Sequence, residues 1–329
     1  MTQNLSTYES DSVNGYDFIG IKNGEINFGP IYEDGFELEQ DFLDTIFIDI
    51  LNQYNVNSIR FSDDFNLMIP KNLPNTLKKI CFGREYNHPT DNLPESIETI
   101  EFGFKFNHPV NGLPPNLKKL VLGKGFKQDL SNLPMGLKIL IIHNIKIQNL
   151  SSLPESLEYL NVCDPNPNSN AKTNINSELF SNLPNNLKNL VINKASFFDL
   201  SNLPDSIISL SIQGLCKNLV KFPKNLKNLV IKYQTRAKWI SNPFDFSKTN
   251  IEILSLEIPG TYYNTEKINL ILPESLEVLK FCSDHFALSE KLPEKLKCIF
   301  MESQFFNEEL IREKYNISNL VLLNCKKID

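Results

Sequence analysis

The sequence predicts a repeat solenoid of mainly β structure, with parallel strands stacked at a period of about 20 residues behind an α+β N-terminal cap. Three observations predict it. Leu-Pro dipeptides begin at Leu73, Leu93, Leu113, Leu133 and Leu153, each 20 residues after the last, and recur at Leu183, Leu203, Leu272 and Leu292. Counted from each such leucine, apolar residues fall at +4, +7 and +9, as in Leu77, Ile80, Phe82, then Ile97, Ile100, Phe102, then Leu117, Leu120, Leu122. The +7 and +9 residues alternate with polar or small neighbours, the period of a short strand with one buried face.

The triplet continues through the later units, with Phe222-Pro223 as a variant start, and appears without its Leu-Pro as Val56, Ile59, Phe61, as Ile251, Leu254, Leu256 and as Ile317, Leu320, Leu322. This makes about thirteen units. Strands recurring in one direction every 20 residues stack as a parallel sheet, and so short a coil leaves no room for a helix on its return path. The proline at +1 favours an extended or turn conformation there, so the return is expected to be extended or a single 3₁₀ turn. Four buried apolar side chains offer a unit roughly 6–12 kcal/mol. Ordering its backbone costs about 1–2 kcal/mol per residue, so no unit is stable without its neighbours.

Residues 1–51 read as the N-terminal cap. A hairpin is expected around Asn23-Gly24, flanked by Ile19, Ile21, Ile26 and Phe28, and a helix from about Glu37 to Tyr54, where Phe42, Leu43, Ile46, Phe47, Ile50, Leu51 and Tyr54 form an apolar stripe. Residues 52–323 form the solenoid and 324–329 a polar tail. Repeat spacing breaks down between Ile231 and Leu272, whose structure the periodicity does not define.

The 329 residues carry a net charge of −6, which argues against a nucleic-acid partner, and no polybasic patch suggests a membrane. The first residues lack the charged and apolar segments of a secretory signal, and no apolar run is long enough to span a bilayer. Six cysteines are dispersed without the spacing of a disulfide framework or zinc site. An intracellular, cytoplasmic, monomeric protein is expected.

Beyond the triplet, the units at Leu73, Leu93 and Leu113 continue with Gly83, Gly103 and Gly123 at +10, and two then read Tyr86-Asn87-His88-Pro89 and Phe106-Asn107-His108-Pro109-Val110. This resembles the FNIP repeat, a short relative of leucine-rich repeats with the pattern L-P-x-x-L-x-x-L-x-L-G-x-x-F-N-x-P-I. The match is specific from Leu73 to Val110 and decays afterwards, where Phe126 keeps the aromatic but Lys127 replaces the Asn. The resemblance implies a leucine-rich-repeat-like architecture. Such repeats are described in social amoebae and in giant viruses of amoebae, which would make the host cytoplasm the compartment of a viral protein. Some relatives carry an N-terminal F-box, which implies an alternative role as substrate adaptor of a cullin-type ubiquitin ligase. The Leu-Pro-rich opening of that module is absent, and the expected helix runs directly into the Val56 unit.

In such a stack, positions +6, +8 and +10 face outward from the strands. Val121 and Ile141 at +8 and Ile139 and Tyr159 at +6 become neighbours there, either as a binding patch or as apolar residues tolerated on strands that favour β-branched side chains. Trp239, Tyr262 and Tyr263, in two insertions, form a second protein-binding candidate, or else pin their own loops. The charges at +5, namely Lys78, Glu98, Lys118, Lys138, Glu158 and Lys188, read as a solvated ladder.

Chemistry is thin. His143 and Cys163 share +10 in successive units, a pairing that could activate a thiol but lacks a third orienting group. His88 and His108 repeat one coil apart, two ligands short of a zinc site. No cofactor motif is present, so the expectation is a non-catalytic scaffold that binds a protein through its strand face or its inserted loops.

Overall fold

The computed structural model describes residues 19–28, 40–144, 150–163, 179–193, 202–213, 221–232, 244–257, 268–282, 286–288, 291–302, 308–315 and 320–324. The chain divides into two compact units, Met1–Ile175 and Asn176–Asp329.

Unit one opens with a hairpin, β1 (Ile19–Lys22) and β2 (Glu25–Phe28). Asn23 and Gly24 join the strands with φ of 52° and 77°, the doubly positive turn that matches the twist of an antiparallel pair. A helical run follows as α1 (Gln40–Phe42), a π-helical turn (Leu43–Phe47) and α2 (Ile48–Gln53). It stops at Asn55, whose φ of 49° ends the helix while the Val56 amide donates back to the Leu51 carbonyl.

Six parallel coils then begin, with strands β3 (Ser58–Arg60), β4 (Lys79–Cys81), β5 (Thr99–Glu101), β6 (Lys119–Leu122), β7 (Ile139–Ile142) and β8 (Tyr159–Val162). The hairpin caps them, because β2 pairs parallel with β3 in the same sheet. Register keeps every template position in line: Ile59, Ile80, Ile100, Leu120, Leu140 and Leu160 form one buried column.

The Leu-Pro motif is a tight turn. The amide two residues before each strand donates to the proline carbonyl three residues earlier, for example Leu77 to Pro74 at 3.1 Å, Leu137 to Pro134 at 3.0 Å and Leu157 to Pro154 at 3.0 Å. Several turns place a hydroxyl at +3 that donates to the carbonyl of the preceding coil: Thr76 to Val56, Ser96 to Leu77 and Ser156 to Leu137. The side chain thereby satisfies a backbone acceptor that the sheet ladder does not reach.

The first coils carry an aromatic core. Phe61, Phe82 and Phe102 stack across coils at 5.6 and 5.2 Å, and each also lies face to face with a partner in its own coil, Phe65, Tyr86 and Phe106, at 4.0, 4.1 and 3.6 Å. Beside it runs a glycine column. A Cβ on Gly83, Gly103 or Gly123 would lie 1.8, 1.9 or 1.8 Å from the carbonyl oxygen of Ser62, Gly83 or Gly103, so the coils meet there backbone to backbone. The column ends at His143, and from β6 onward the paired strands lengthen from three residues to four.

Unit two repeats the plan in β9 (Asn189–Ile192), β10 (Ser209–Gln213), β11 (Asn228–Lys232), β13 (Ile253–Glu257), β15 (Val278–Cys282), β17 (Cys298–Glu302) and β18 (Val321–Asn324), all parallel. A second parallel sheet is formed by β12 (Phe244–Asp245) and β14 (Ile268–Ile271), both in the stretch the periodicity leaves undefined, and by β16 (Phe286–Leu288) in a later return. The coils there are long enough to add a strand, and Phe246, Leu270 and Phe286 are buried with it. The return before β18 holds a helix, α3 (Glu308–Tyr315), against the expectation of an extended return or a single 3₁₀ turn, because that coil is lengthened.

One register differs from expectation. Leu322, read as a +9 residue, pairs with Ile299 at +7, and Phe300 pairs with Leu323 where Val321 was expected. The slip is two residues, so every side chain keeps its face. The sequence offered no Leu-Pro start to anchor that coil.

Candidate functional site

The solvent side of the unit-one sheet is built from the residues between the buried columns. The backbone alternation that buries Leu120, Leu122, Leu140, Ile142, Leu160 and Val162 turns their strand neighbours to the other face. Val121 pairs with Ile141 and Ile139 pairs with Tyr159, so the four predicted patch residues form a staggered block, one on β6, two on β7 and one on β8. All four are half-buried. Adjacent strands lie about 4.8 Å apart, which brings neighbours of the block into contact range. The Tyr159 hydroxyl has no hydrogen-bond partner among the described residues.

The block is bordered on the β3–β5 side by charge. Lys119, in register with Ile139, holds Glu101 at 2.6 Å. Burial disfavours the Glu101 carboxylate, but the hydrogen bond and charge of Lys119, aided by Lys79 and by the Cys81 thiol, outweigh it and keep the carboxyl below its usual range. Arg60 lies 3.6 Å from Glu25. Lys79 makes no ion pair among the described residues. The sequence reading missed this border, because the charges sit one at a time on separate strands and only register aligns them.

Several outward positions are covered after all, Ser58 at +6 among them. Cys81 is 3 % exposed, shielded by Arg60, Lys79 and Glu101, and its thiol is raised by burial and by Glu101. Ser255 in unit two is buried too: it donates to Glu257 on its own strand at 3.3 Å, and that carboxylate pairs with Lys280 on the neighbouring strand. Trp239, Tyr262 and Tyr263 lie outside the described residues.

The +5 ladder forms as a row of exposed pairs: Lys118–Glu98 at 2.7 Å, Lys138–Glu158 at 3.2 Å, Lys227–Glu252 at 2.8 Å and Lys297–Glu277 at 2.7 Å. Exposed pairs of this kind contribute little each.

The candidate chemical residues have structural tasks. The Asn87 amide donates to the Asn66 side-chain oxygen, Asn107 to that of Asn87, and Lys127 to that of Asn107, a ladder at 2.8–3.0 Å. Beside it the His88 Nε2 meets the Asn66 carbonyl at 2.9 Å and the His108 Nε2 meets the Asn87 carbonyl at 3.0 Å. A carbonyl only accepts, so in each ring Nε2 carries the proton and is not available as a metal ligand, leaving one lone pair per ring, on Nδ1. In the next coil Gln128 Nε2 donates to the Asn107 carbonyl, the same bond from a side chain that binds no zinc. Among the described residues no group of three or more His, Cys, Asp or Glu is placed to hold a metal.

Cys163 donates its thiol hydrogen to the Asn161 side-chain oxygen at 2.7 Å. Burial raises that thiol, while burial and then Lys124 lower His143. Both shifts oppose a thiolate–imidazolium pair.

At the N-terminus the apolar face of the helical run is consumed by the first coil: Phe42, Leu43, Phe47, Ile50 and Leu51 are buried, and Phe47 packs against Phe61 with ring centres 6.3 Å apart. Among the described residues no helix is long and apolar enough to cross a membrane.

No curated protein matches the chain. Among solved structures it is similar to YopM from Yersinia enterocolitica WA-314, at 18% identity over 89% of this chain and 79% of that one, with a TM-score of 0.28, too low to add to what strand pairing shows. The family model described as FNIP Repeat matches residues 65–105 and 106–144. That span holds the glycine column and the asparagine ladder, and at its end buried Asn144 donates its side-chain amide to the Phe126 carbonyl. The chain therefore contains FNIP repeats over residues 65–144, set within a repeat architecture of stacked parallel strands.

Proposed function

We propose that the protein is a non-catalytic interaction scaffold that captures a protein partner on the open strand face of unit one. The observation that carries this reading is the apolar block of Val121, Ile139, Ile141 and Tyr159, four adjacent side chains on the solvent side of strands whose other face already supplies the core. Apolar side chains gathered on a solvent face are a feature of recognition surfaces. Tyr159, whose hydroxyl has no partner among the described residues, is of a residue type enriched in interface hot spots. The ligase-adaptor alternative draws no support from the N-terminal helical run, whose apolar side chains are engaged by the cap.

Incorporation of a photo-crosslinking phenylalanine analogue at Tyr159, with Met135 as the control, tests the reading. Met135 is 78 % exposed and lies on a Leu-Pro turn away from the strand face. A partner should crosslink from position 159 and not from 135. Equal crosslinking from both, or crosslinking from 135 alone, would refute it.

A further inference from the structure

The strand face also carries information about what it binds. This inference rests on the proposed function and deepens it. The +6 side chains of successive strands form a row: Lys79 pairs with Thr99, Thr99 with Lys119, Lys119 with Ile139 and Ile139 with Tyr159. Along the +6 and +8 rows from β2 to β8 the described residues include three cations, Arg60, Lys79 and Lys119, against Glu25 and Glu101, although the chain as a whole has a net charge of −6. Arg60 and Lys119 are satisfied by those two carboxylates. Lys79 acts on Glu101 only through space: it is half-buried and has no carboxylate within ion-pair distance among the described residues. A partly desolvated, unpaired cation at one end of a row and an apolar block at the other define a ligand by complementarity.

We propose that the face binds an extended acidic–apolar segment of a partner protein, laid across the strands with a carboxylate at Lys79 and apolar side chains on Ile139, Ile141 and Tyr159. The row fixes the spacing. Ile139 lies three strands from Lys79 and Tyr159 four, about 14 and 19 Å at the usual interstrand distance. An extended peptide rises about 3.3 Å per residue and shows alternate side chains to one face. The segment therefore carries Asp or Glu at one position and apolar residues four and six positions away, in either chain direction.

Random dodecapeptides displayed on phage and selected on the immobilised full chain test this, followed by fluorescence anisotropy with the synthetic winners. Enriched peptides should share the acidic residue and the four- and six-residue spacing. Binding should weaken about tenfold or more in Lys79→Glu, the worth of one charge-assisted contact. It should return within about threefold when the peptide acid becomes lysine, a swap that a merely unfolded variant could not reproduce. Peptides lost in Ile141→Asp/Tyr159→Asp but lacking an acid, or indifferent to Lys79→Glu, would overturn this inference and leave the binding face standing. Enriched peptides insensitive to the double variant, or no enrichment, would overturn both.

Discussion

Replacing Gly103 by alanine probes the backbone-to-backbone contact that holds the first coils together. The added Cβ would meet the Gly83 carbonyl oxygen at 1.9 Å, whereas real Cβ atoms essentially never come closer than 3.0 Å. The coils must separate by about 1.1 Å against a spacing of about 4.8 Å. Two hydrogen bonds bridge the coils beside the contact, Phe82 N to Glu101 O at 2.8 Å and Lys105 N to Arg84 O at 2.9 Å. Stretching bonds with a net worth of about 0.5–1.5 kcal/mol each, on top of an overpacking cost of about 1–3 kcal/mol, gives a loss of about 3 kcal/mol. Gly136→Ala is the matched control: its new Cβ meets nothing nearer than the Pro115 oxygen at 3.9 Å, so it should be neutral or more stable by up to about 1 kcal/mol. Urea unfolding of the full chain followed by far-ultraviolet circular dichroism compares their midpoints. Equal midpoints for the two variants would show that the glycine column is not a steric requirement.

The histidine column should tolerate glutamine. His88→Gln and His108→Gln keep a donor where Gln128 already works, so their midpoints should match the parent, while His88→Ala loses about 1 kcal/mol and added zinc changes no midpoint; zinc stabilisation abolished by His88→Gln would reinstate a metal site. Glu101 and Glu257 should contribute to the acid limb of stability. Burial raises both carboxyls, but their lysine partners hold them below the ordinary value of 4.5. That contribution is complete above the unfolded-chain value and disappears as pH falls through the lower folded one, so Glu101→Gln should flatten the stability–pH curve below about pH 5 and leave its shape at pH 7 unchanged. An acid limb identical to the parent's would contradict the ion pair.

How much of this was legible in sequence follows from what each residue obeys. Leu77, Ile80 and Phe82 obey a local period, so their facing, and that of Ile141 and Tyr159, could be read directly. The hairpin at Asn23-Gly24 was legible because its turn demands those two residues. The glycine and asparagine columns were visible as spacing, but their reason is contact between coils: Gly103 touches Gly83, and Asn107 touches Asn87. The Lys79–Glu101–Lys119 border and the Ser156–Leu137 bond depend in the same way on register between strands about 20 residues apart. The β12–β14–β16 sheet was illegible because its short segments carry no repeat of their own and pair only once the main sheet has aligned them. The slip at β18 shows the converse: without a Leu-Pro turn, alternation tells which face a residue takes but not its place along the strand.

The binding-face proposal meets its most direct test in the double variant Ile141→Asp/Tyr159→Asp. Both residues are half-buried on the solvent side, so the unfolding midpoint should move little. Affinity capture of tagged parent and variant from cells of the natural host, quantified by mass spectrometry, should recover a partner with the parent that is lost with the variant. Undiminished recovery of that partner with a folded variant would contradict the proposal.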